Sequence, residues 1–506
     1  MRSYVAYTAV SLFLLGAAGC SGDPTNSAAS NDPGASESQL EASKAVDILD
    51  RLKAIPDFTS VQEVAPGQVA NARKFIIKIS QPLDHSRPLG GRFEQRFALW
   101  HVSEQAPVVL YSGGYELREI LSDVQPVIKS NQISMEYRYY GESVPSPLTP
   151  DQWKYLTVEQ SAHDFHHVVS LLKSIYAGKW ISHGRSKGGM TQIAYRTFYP
   201  EDVDGTVAIV TPLQTEFMGP RYPEWFRSLE SRFPQCTANK VGFEREVLKR
   251  RDVIAKKTLA EAKEAGETFT KLPIQKAIEL GIKDFHFGFY LGANPLTDCN
   301  DFVGASATDD ELYAAYDNWV GKFSYSDQGI QRYDPRAYIY QGCAEMGIYQ
   351  IDETPLADLL RYPKEQPFCY FLPDGTNPTY NPLSSRLTVH YLKSEAQRMV
   401  FVYGSTDAWS GQSVQYPGVE DAHKFWITEG PSTGHVVHFT SLKGADWTKA
   451  STRVQTWAGL LPGATAATAA PEAVAPKAEI GAASADEEVL WPPKLYFRNR
   501  ARKNAH

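Results

Sequence analysis

"WISHGRSKGGMTQ", residues 180–192, decides how the rest of the chain is read. An apolar strand candidate runs directly into two glycines that flank a serine, and a helix-compatible stretch follows. The pattern Gly184-Arg185-Ser186-Lys187-Gly188 has the spacing of a nucleophile elbow, a strained strand-to-helix turn that holds a serine hydroxyl exposed. A glycine-rich loop carrying an ordinary serine has the same five letters, so the surrounding elements have to discriminate.

Those elements alternate. "ARKFIIKIS" and "GRFEQRFALWHV" read as two strands joined by the turn-rich "QPLDHSRPLGG", an antiparallel pair. "APVVLYSGGY" is a short buried strand ending in Gly113-Gly114, and "NQISMEYRYYG" is another strand candidate. A helix is predicted from Thr157 to Gly178, opened by a Thr157/Gln160 capping box, with Phe165, Val168, Val169, Leu172, Ile175 and Tyr176 on one face. The strand "KWISH", the elbow, a helix ending near Pro200 and the strand "GTVAIV" follow. Strand, helix, strand, helix, strand predicts an α/β protein with a mostly parallel sheet covered on both faces.

The alternation stops near Pro212, where charged helical patterns such as "FEREVLKRRDVIAKKTLAEAKEAG" begin. It resumes with "AQRMVFVYG" and "HKFWIT". Residues 215–385 are therefore expected to form a helical cap domain inserted between two parts of one core, 46–214 and 386–460. Insertions so placed cover active sites and restrict what enters.

An elbow serine needs a histidine to accept its proton and an acid to orient that histidine. In the α/β-hydrolase arrangement the order along the chain is Ser, Asp, His, with acid and base on loops after late strands. Asp407, in "YGSTDAWS", follows the strand "RMVFVYG"; His435, in "EGPSTGHVVHF", follows "HKFWIT". The expected triad is Ser186, Asp407 and His435, and His438 is the rival base. Asp421 and His423 are read as surface residues preceding the last strand, and His183 as a packed core histidine. His163, His166 and His167 fall on a solvated helix face without a metalloprotease pattern, so no metal is expected. For the oxyanion, the backbone N–H of Lys187 is one expected donor. The loop "SGGYEL" offers Gly114 and Tyr115 for the second, although its glycines also serve a plain turn.

"WISHGRSKGGMT" followed by "FYPEDVDGTVAIVTP" resembles the secreted prolyl tri- and tetrapeptidyl aminopeptidases, serine peptidases of α/β-hydrolase fold. "QPLDHSRP", "SGGY", "EYRYYGESVPSP" and "DQWKYLTVEQSAHDFHHVV" carry the likeness from about 75 to 440. The lysosomal-type Pro-Xaa carboxypeptidases and dipeptidyl peptidases share an "EHRYYGES"-like motif. The resemblance implies the same triad, no cofactor, and release of short peptides from free amino termini with proline before the cut. Such an exopeptidase needs a carboxylate for the substrate ammonium. Glu136 and Glu142 are the candidates, with Arg138 as a neighbour able to neutralise Glu136. Trp409 is the candidate for a proline-accepting aromatic pocket. An ester hydrolase with the same triad, or a surface lipoprotein using the fold only to bind, are the alternatives.

The termini frame this core. "MRSYVAYTAVSLFLLGAAGC" reads as an export signal at 1–20, and its "GAAGC" ending resembles a lipobox, which makes Cys20 a lipidation candidate; an ordinary secretory signal is the alternative. Residues 21–45 read as a flexible linker and 461–506 as a low-complexity tail. The expected location is the cell envelope, with membrane contact only through the lipid. Within 506 residues, the net charge of -7 gives no electrostatic footprint for nucleic acid, and the 42% hydrophobic content suits a globular protein. Cys236, Cys299, Cys343 and Cys369 are an even set in an exported chain, which permits disulfides and leaves three pairings open.

Overall fold

Phe75, Ile77 and Ile79 are buried at every second position, and that alternation folds "RKFIIKISQP" into a strand with one face on the core. The computed structural model of the protein describes residues 46–462, except 66, 68–71, 293–294, 296–297, 332–335, 366–367 and 430–432. The expected signal peptide with Cys20, the linker to residue 45 and the tail from 463 lie outside the described residues.

The chain runs through α1 (Ile48–Lys53), β1 (Phe58–Val64), β2 (Arg73–Pro82), β3 (Arg92–His101), β4 (Val108–Ser112), α2 (Gln125–Ile128) and β5 (Asn131–Met135). It continues through α3 (Val158–Leu172), β6 (Trp180–Arg185), α4 (Lys187–Phe198) and β7 (Gly205–Ile209). β8 (Gln397–Gly404), β9 (Glu420–Ile427) and α13 (Gly444–Trp457) close it. The nine strands form one sheet in the order β1-β2-β3-β5-β4-β6-β7-β8-β9. Pairing is antiparallel from β1 to β5 and parallel from β5 to β9, the α/β-hydrolase fold. All five residues of β4, of β5 and of β7 are buried, as strands covered on both faces must be.

Two local expectations are corrected. β1 carries no sequence signal, because "FTSVQEV" lies at the sheet edge with most of its residues exposed or half-buried, so burial imposes no alternation on it. α3 ends at Leu172, short of Gly178, and only half of its capping box forms. Thr157 Oγ1 accepts the Gln160 N–H at 3.1 Å, while the Gln160 side chain is drawn away to the His85 N–H and to Asp84.

Between β7 and β8 the named elements are helical: α5 (Tyr222–Ser231), α6 (Pro234–Lys249), α7 (Arg251–Ala265), α8 (Ile274–Gly292), α9 (Asp309–Trp319), α10 (Asp327–Gln331), α11 (Arg336–Gln341), short 3-10 turns, a π-turn at Gly342–Met346 and α12 (Leu383–Ser394). Phe226, Phe243, Ile278 and Phe285 centre an apolar cluster that continues to Ala408 and Trp409, just beyond the carboxyl end of β8. Disulfides Cys236–Cys299 and Cys343–Cys369, with Cα separations of 5.0 and 5.9 Å, tie this insertion together. Among the described residues no helix is long and apolar enough to cross a membrane.

Candidate active site

The carboxyl ends of β6, β8 and β9 bring three distant residues together. β6 ends at Arg185 and α4 starts at Lys187, so Ser186 alone makes the turn, with φ 52° and ψ -124°. A side chain at positive φ costs on the order of 1–3 kcal/mol, which the surroundings have to sustain. The Ser186 N–H donates to Ile209 O of β7 at 2.8 Å, and a Cβ on Gly184 would collide with the Gly188 carbonyl. Glycine before the serine is thus a packing requirement of the turn.

His435 Nε2 lies 2.8 Å from Ser186 Oγ, and His435 Nδ1 lies 3.0 Å from Asp407 Oδ1. The Asp407 carboxylate also accepts the Trp409 N–H at 2.9 Å and the Ser410 hydroxyl at 3.0 Å. Both His435 and Asp407 side chains are fully buried. The His435 main chain is anchored by its N–H to Leu291 O of α8 and by its C=O to Arg185 Nη2. With Nδ1–H directed at the carboxylate, Nε2 presents its lone pair to the serine hydroxyl.

The rivals stand elsewhere. His438 faces Asp123 at 3.1 Å and is half-exposed. Asp421 and His423 lie inside β9, at its opposite end from His435, and bond each other at 3.0 Å; Asp421 also takes the Trp457 Nε1–H. His183 is buried against Val207 O. His163, His166 and His167 are half-buried on hydrogen bonds to Tyr199, Asp202 and Gln81, where a solvated face was expected. Among the described residues no cluster of His, Cys, Asp or Glu could hold a metal ion.

The oxyanion expectation needs one correction. The Gly114 N–H is spent on Ser112 Oγ, 3.0 Å away, which removes Gly114 as a donor and leaves the Lys187 and Tyr115 N–H groups. Lys187, the first residue of α4, has one of the helix N–H groups without an intrahelical acceptor.

Glu136 is also corrected. It is fully buried, accepts Arg96 Nη2 and the Leu117 N–H at 2.8 Å each, and takes Ser143 Oγ at 2.7 Å and the Glu142 N–H at 3.1 Å. A carboxylate so saturated has no lone pair for a substrate. Arg138 neutralises Asp164 rather than Glu136. Glu142 is half-exposed on Arg96 and Lys78. The sequence misled here because the tight "RYYGES" turn folds back on Glu136 to supply two of its donors, and Arg96 and Leu117 supply the other two from outside that turn.

Beside Ser186 a pocket is walled by Met190, Pro212, Tyr222, Tyr338, Met346 and Trp409. Trp409 lines this pocket, while Tyr222, Tyr338 and Met346 come from the insertion and had no signal of their own. Next to Met346, Glu345 is buried in the π-turn. Its Oε1 accepts the Val158 N–H at 2.6 Å and Gln341 Nε2 at 3.3 Å, and it has no ion-pair partner among the described residues. Burial pushes its carboxyl up to about 7, against these hydrogen bonds and the nearby Lys187 charge. Burial likewise pulls the Lys187 amine well below its ordinary value, against the charges of Glu345 and Glu116.

The family described as PS-10 peptidase S37 matches residues 41–496. A prolyl tri/tetrapeptidyl aminopeptidase of Streptomyces mobaraensis is 33% identical over 421 residues, covering 82% of this chain and 86% of that protein. A lysosomal Pro-X carboxypeptidase of Mus musculus is 30% identical over 166 residues, 28% of this chain and 33% of its own. Among solved structures, a proline iminopeptidase from Mycobacterium smegmatis matches 79% of this chain and 99% of its own at 13% identity, with a TM-score of 0.33.

Proposed function

The chain belongs to the PS-10 peptidase S37 family, and from that premise we propose that this serine peptidase is an exported exopeptidase that releases tri- and tetrapeptides from free amino termini after proline. The observation that carries the proposal is the Ser186–His435–Asp407 line opening onto an aromatic pocket walled by the helical insertion. Ser186 Oγ attacks the scissile carbonyl as His435 Nε2 takes its proton, and Asp407 holds the imidazole and stabilises its charged form. The oxyanion is held by the N–H groups of Lys187 and Tyr115. His435 then protonates the leaving amine, and water resolves the acyl-enzyme on Ser186.

The pocket of Tyr222, Tyr338 and Trp409 suits a proline ring, which carries no polar atoms of its own to satisfy. In place of Glu136, Glu345 is the acid that meets the substrate ammonium. It is a buried carboxylate with no ion-pair partner among the described residues, next in sequence to Met346 of the pocket wall, and an ammonium there forms a charge-assisted hydrogen bond with it. The N-terminal stretch supports export, with Cys20 as the lipid-bearing residue.

A panel of chromogenic tri- and tetrapeptides ending in proline or alanine, with free and acetylated amino termini, tests the reading. Free proline peptides are expected to be cleaved far faster than either control. Equal rates for free and acetylated peptides overturn the aminopeptidase assignment, and turnover of simple esters alone selects an ester hydrolase.

A further inference from the structure

We propose that the Lys187 side chain is a positioning residue that aims the second oxyanion donor, so that one residue governs both halves of the oxyanion hole. The inference rests on the assignment of the Tyr115 N–H as that donor. Lys187 Nζ donates to Gly114 O. That carbonyl belongs to the same planar peptide unit as the Tyr115 N–H, and in a trans peptide the two point in opposite directions. Holding the oxygen therefore fixes the direction of the N–H.

The rest of the loop is built to the same end. Ser112 Oγ accepts the Gly114 N–H at 3.0 Å and donates to Met135 O at 3.2 Å, so Gly114 is tied at both of its backbone polar groups. Gly114 has φ +81°, and a Cβ there would lie 2.7 Å from Gly188 N and 2.8 Å from Lys187 C. Only glycine allows the loop to approach the elbow this closely.

A lysine buried to 2% exposure beside a nucleophile is costly, and its amine is held in a specific cage. Nζ sits 3.4 Å over the Tyr137 ring centroid, with Tyr140 and Tyr115 at 5.0 and 5.3 Å. Tyr137 OH accepts Gln341 Nε2 at 3.0 Å, and Gln341 also bonds Glu345, so the helical insertion braces the cage from above. An ammonium on Gly114 O also polarises the peptide, which makes the Tyr115 N–H a stronger donor. A neutral amine still donates the bond that sets its direction.

The test compares Lys187→Met, which keeps the length and loses the donor, with Lys187→Gln, which keeps a shorter N–H donor. Each is assayed for kcat, KM, fluorophosphonate labelling of Ser186 and affinity for a peptide boronate that mimics the tetrahedral adduct. Losing a well-placed oxyanion donor typically costs 10²–10³ in kcat. Lys187→Met is expected to lose about 100-fold in kcat with KM within about twofold, and boronate affinity is expected to fall in parallel; Lys187→Gln should recover part of both. A Lys187→Met enzyme within about threefold of the parent kcat, or a loss confined to KM with unchanged boronate affinity, overturns the proposal. Should Lys187→Met fail to fold, Lys187→Gln decides alone: kcat and boronate affinity falling together support it, and kcat falling alone overturns it. A parent that is not labelled at Ser186 instead removes the triad reading, so the two failures are distinguishable.

Discussion

His435 Nε2 reaches Ser186 Oγ at 2.8 Å across 249 residues of chain, while His438, only three residues further on, turns away to Asp123. Ser186→Ala and His435→Ala are each expected to lower kcat by roughly 10³-fold or more on a proline tetrapeptide substrate, leaving what the oxyanion donors and binding supply. His438→Ala should stay within about threefold, since its partner is a carboxylate outside the site. A larger loss in His438→Ala than in His435→Ala reverses the assignment of the base.

Glu345→Gln tests the ammonium receiver. Removing one partner of a buried charge pair costs about 2–5 kcal/mol, so KM for free-amine peptides should rise roughly thirty-fold or more, with acetylated peptides unaffected. In the empty site the Glu345 carboxyl is pushed up to about 7 by burial, so it is protonated below that pH and cannot pair with an ammonium. KM for the free peptide should therefore rise as pH falls below 7 in the parent and stay flat in Glu345→Gln. Parallel pH profiles for the two proteins count against Glu345.

Asp284 behind the pocket wall gives a stability test. Tyr349 OH donates to its Oδ1, and Oδ2 is buried without a hydrogen-bond partner among the described residues. Burial raises its carboxyl from 3.8 to about 7, so its contribution is most favourable below pH 3.8 and is lost as pH rises through 7. The buried charge then opposes folding. Asp284→Asn removes that titration, and its stability relative to the parent should improve by about 2–3 kcal/mol between pH 5 and pH 8 in urea melts. A pH-independent difference contradicts burial as the cause.

The two disulfides close loops of 63 and 26 residues. In the chain-entropy view each such bond stabilises by about 4 kcal/mol, slightly more for the longer loop. Unfolding the oxidised protein in denaturant should expose no titratable thiol from Cys236, Cys299, Cys343 or Cys369, and reduction should lower the denaturation midpoint. Free thiols from these positions refute the pairing.

Much of the fold was legible because its determinants are local. Buried parallel strands have to be continuous apolar runs, and the elbow has to be glycine on both sides of Ser186, so β4, β6, β7 and the nucleophile can be read from a few letters each. The chain order of Ser186, Asp407 and His435 follows from the order of strands, which is itself written as alternating elements. β1 was not legible, since an exposed edge strand places no demand on its sequence.

Tertiary structure alone decided which groups meet. A carboxylate's role depends on what saturates it, and the donors to Glu136 come from Arg96, Leu117, Glu142 and Ser143, of which Arg96 lies 40 residues away. The same holds for Gly114, whose N–H is consumed by a serine two residues back, and for Lys187, whose amine finds Gly114 O and the Tyr137 ring only once the loop docks on the elbow. Tyr222, Tyr338 and Met346 reach the site from helical segments with no motif, because where an insertion lands is set by long-range packing rather than by any local pattern. The sequence by itself determined a serine on a strained turn with its base and acid in order. What that serine meets was decided by contacts between segments far apart in the chain, whose hydrogen bonds and desolvation no local spacing encodes.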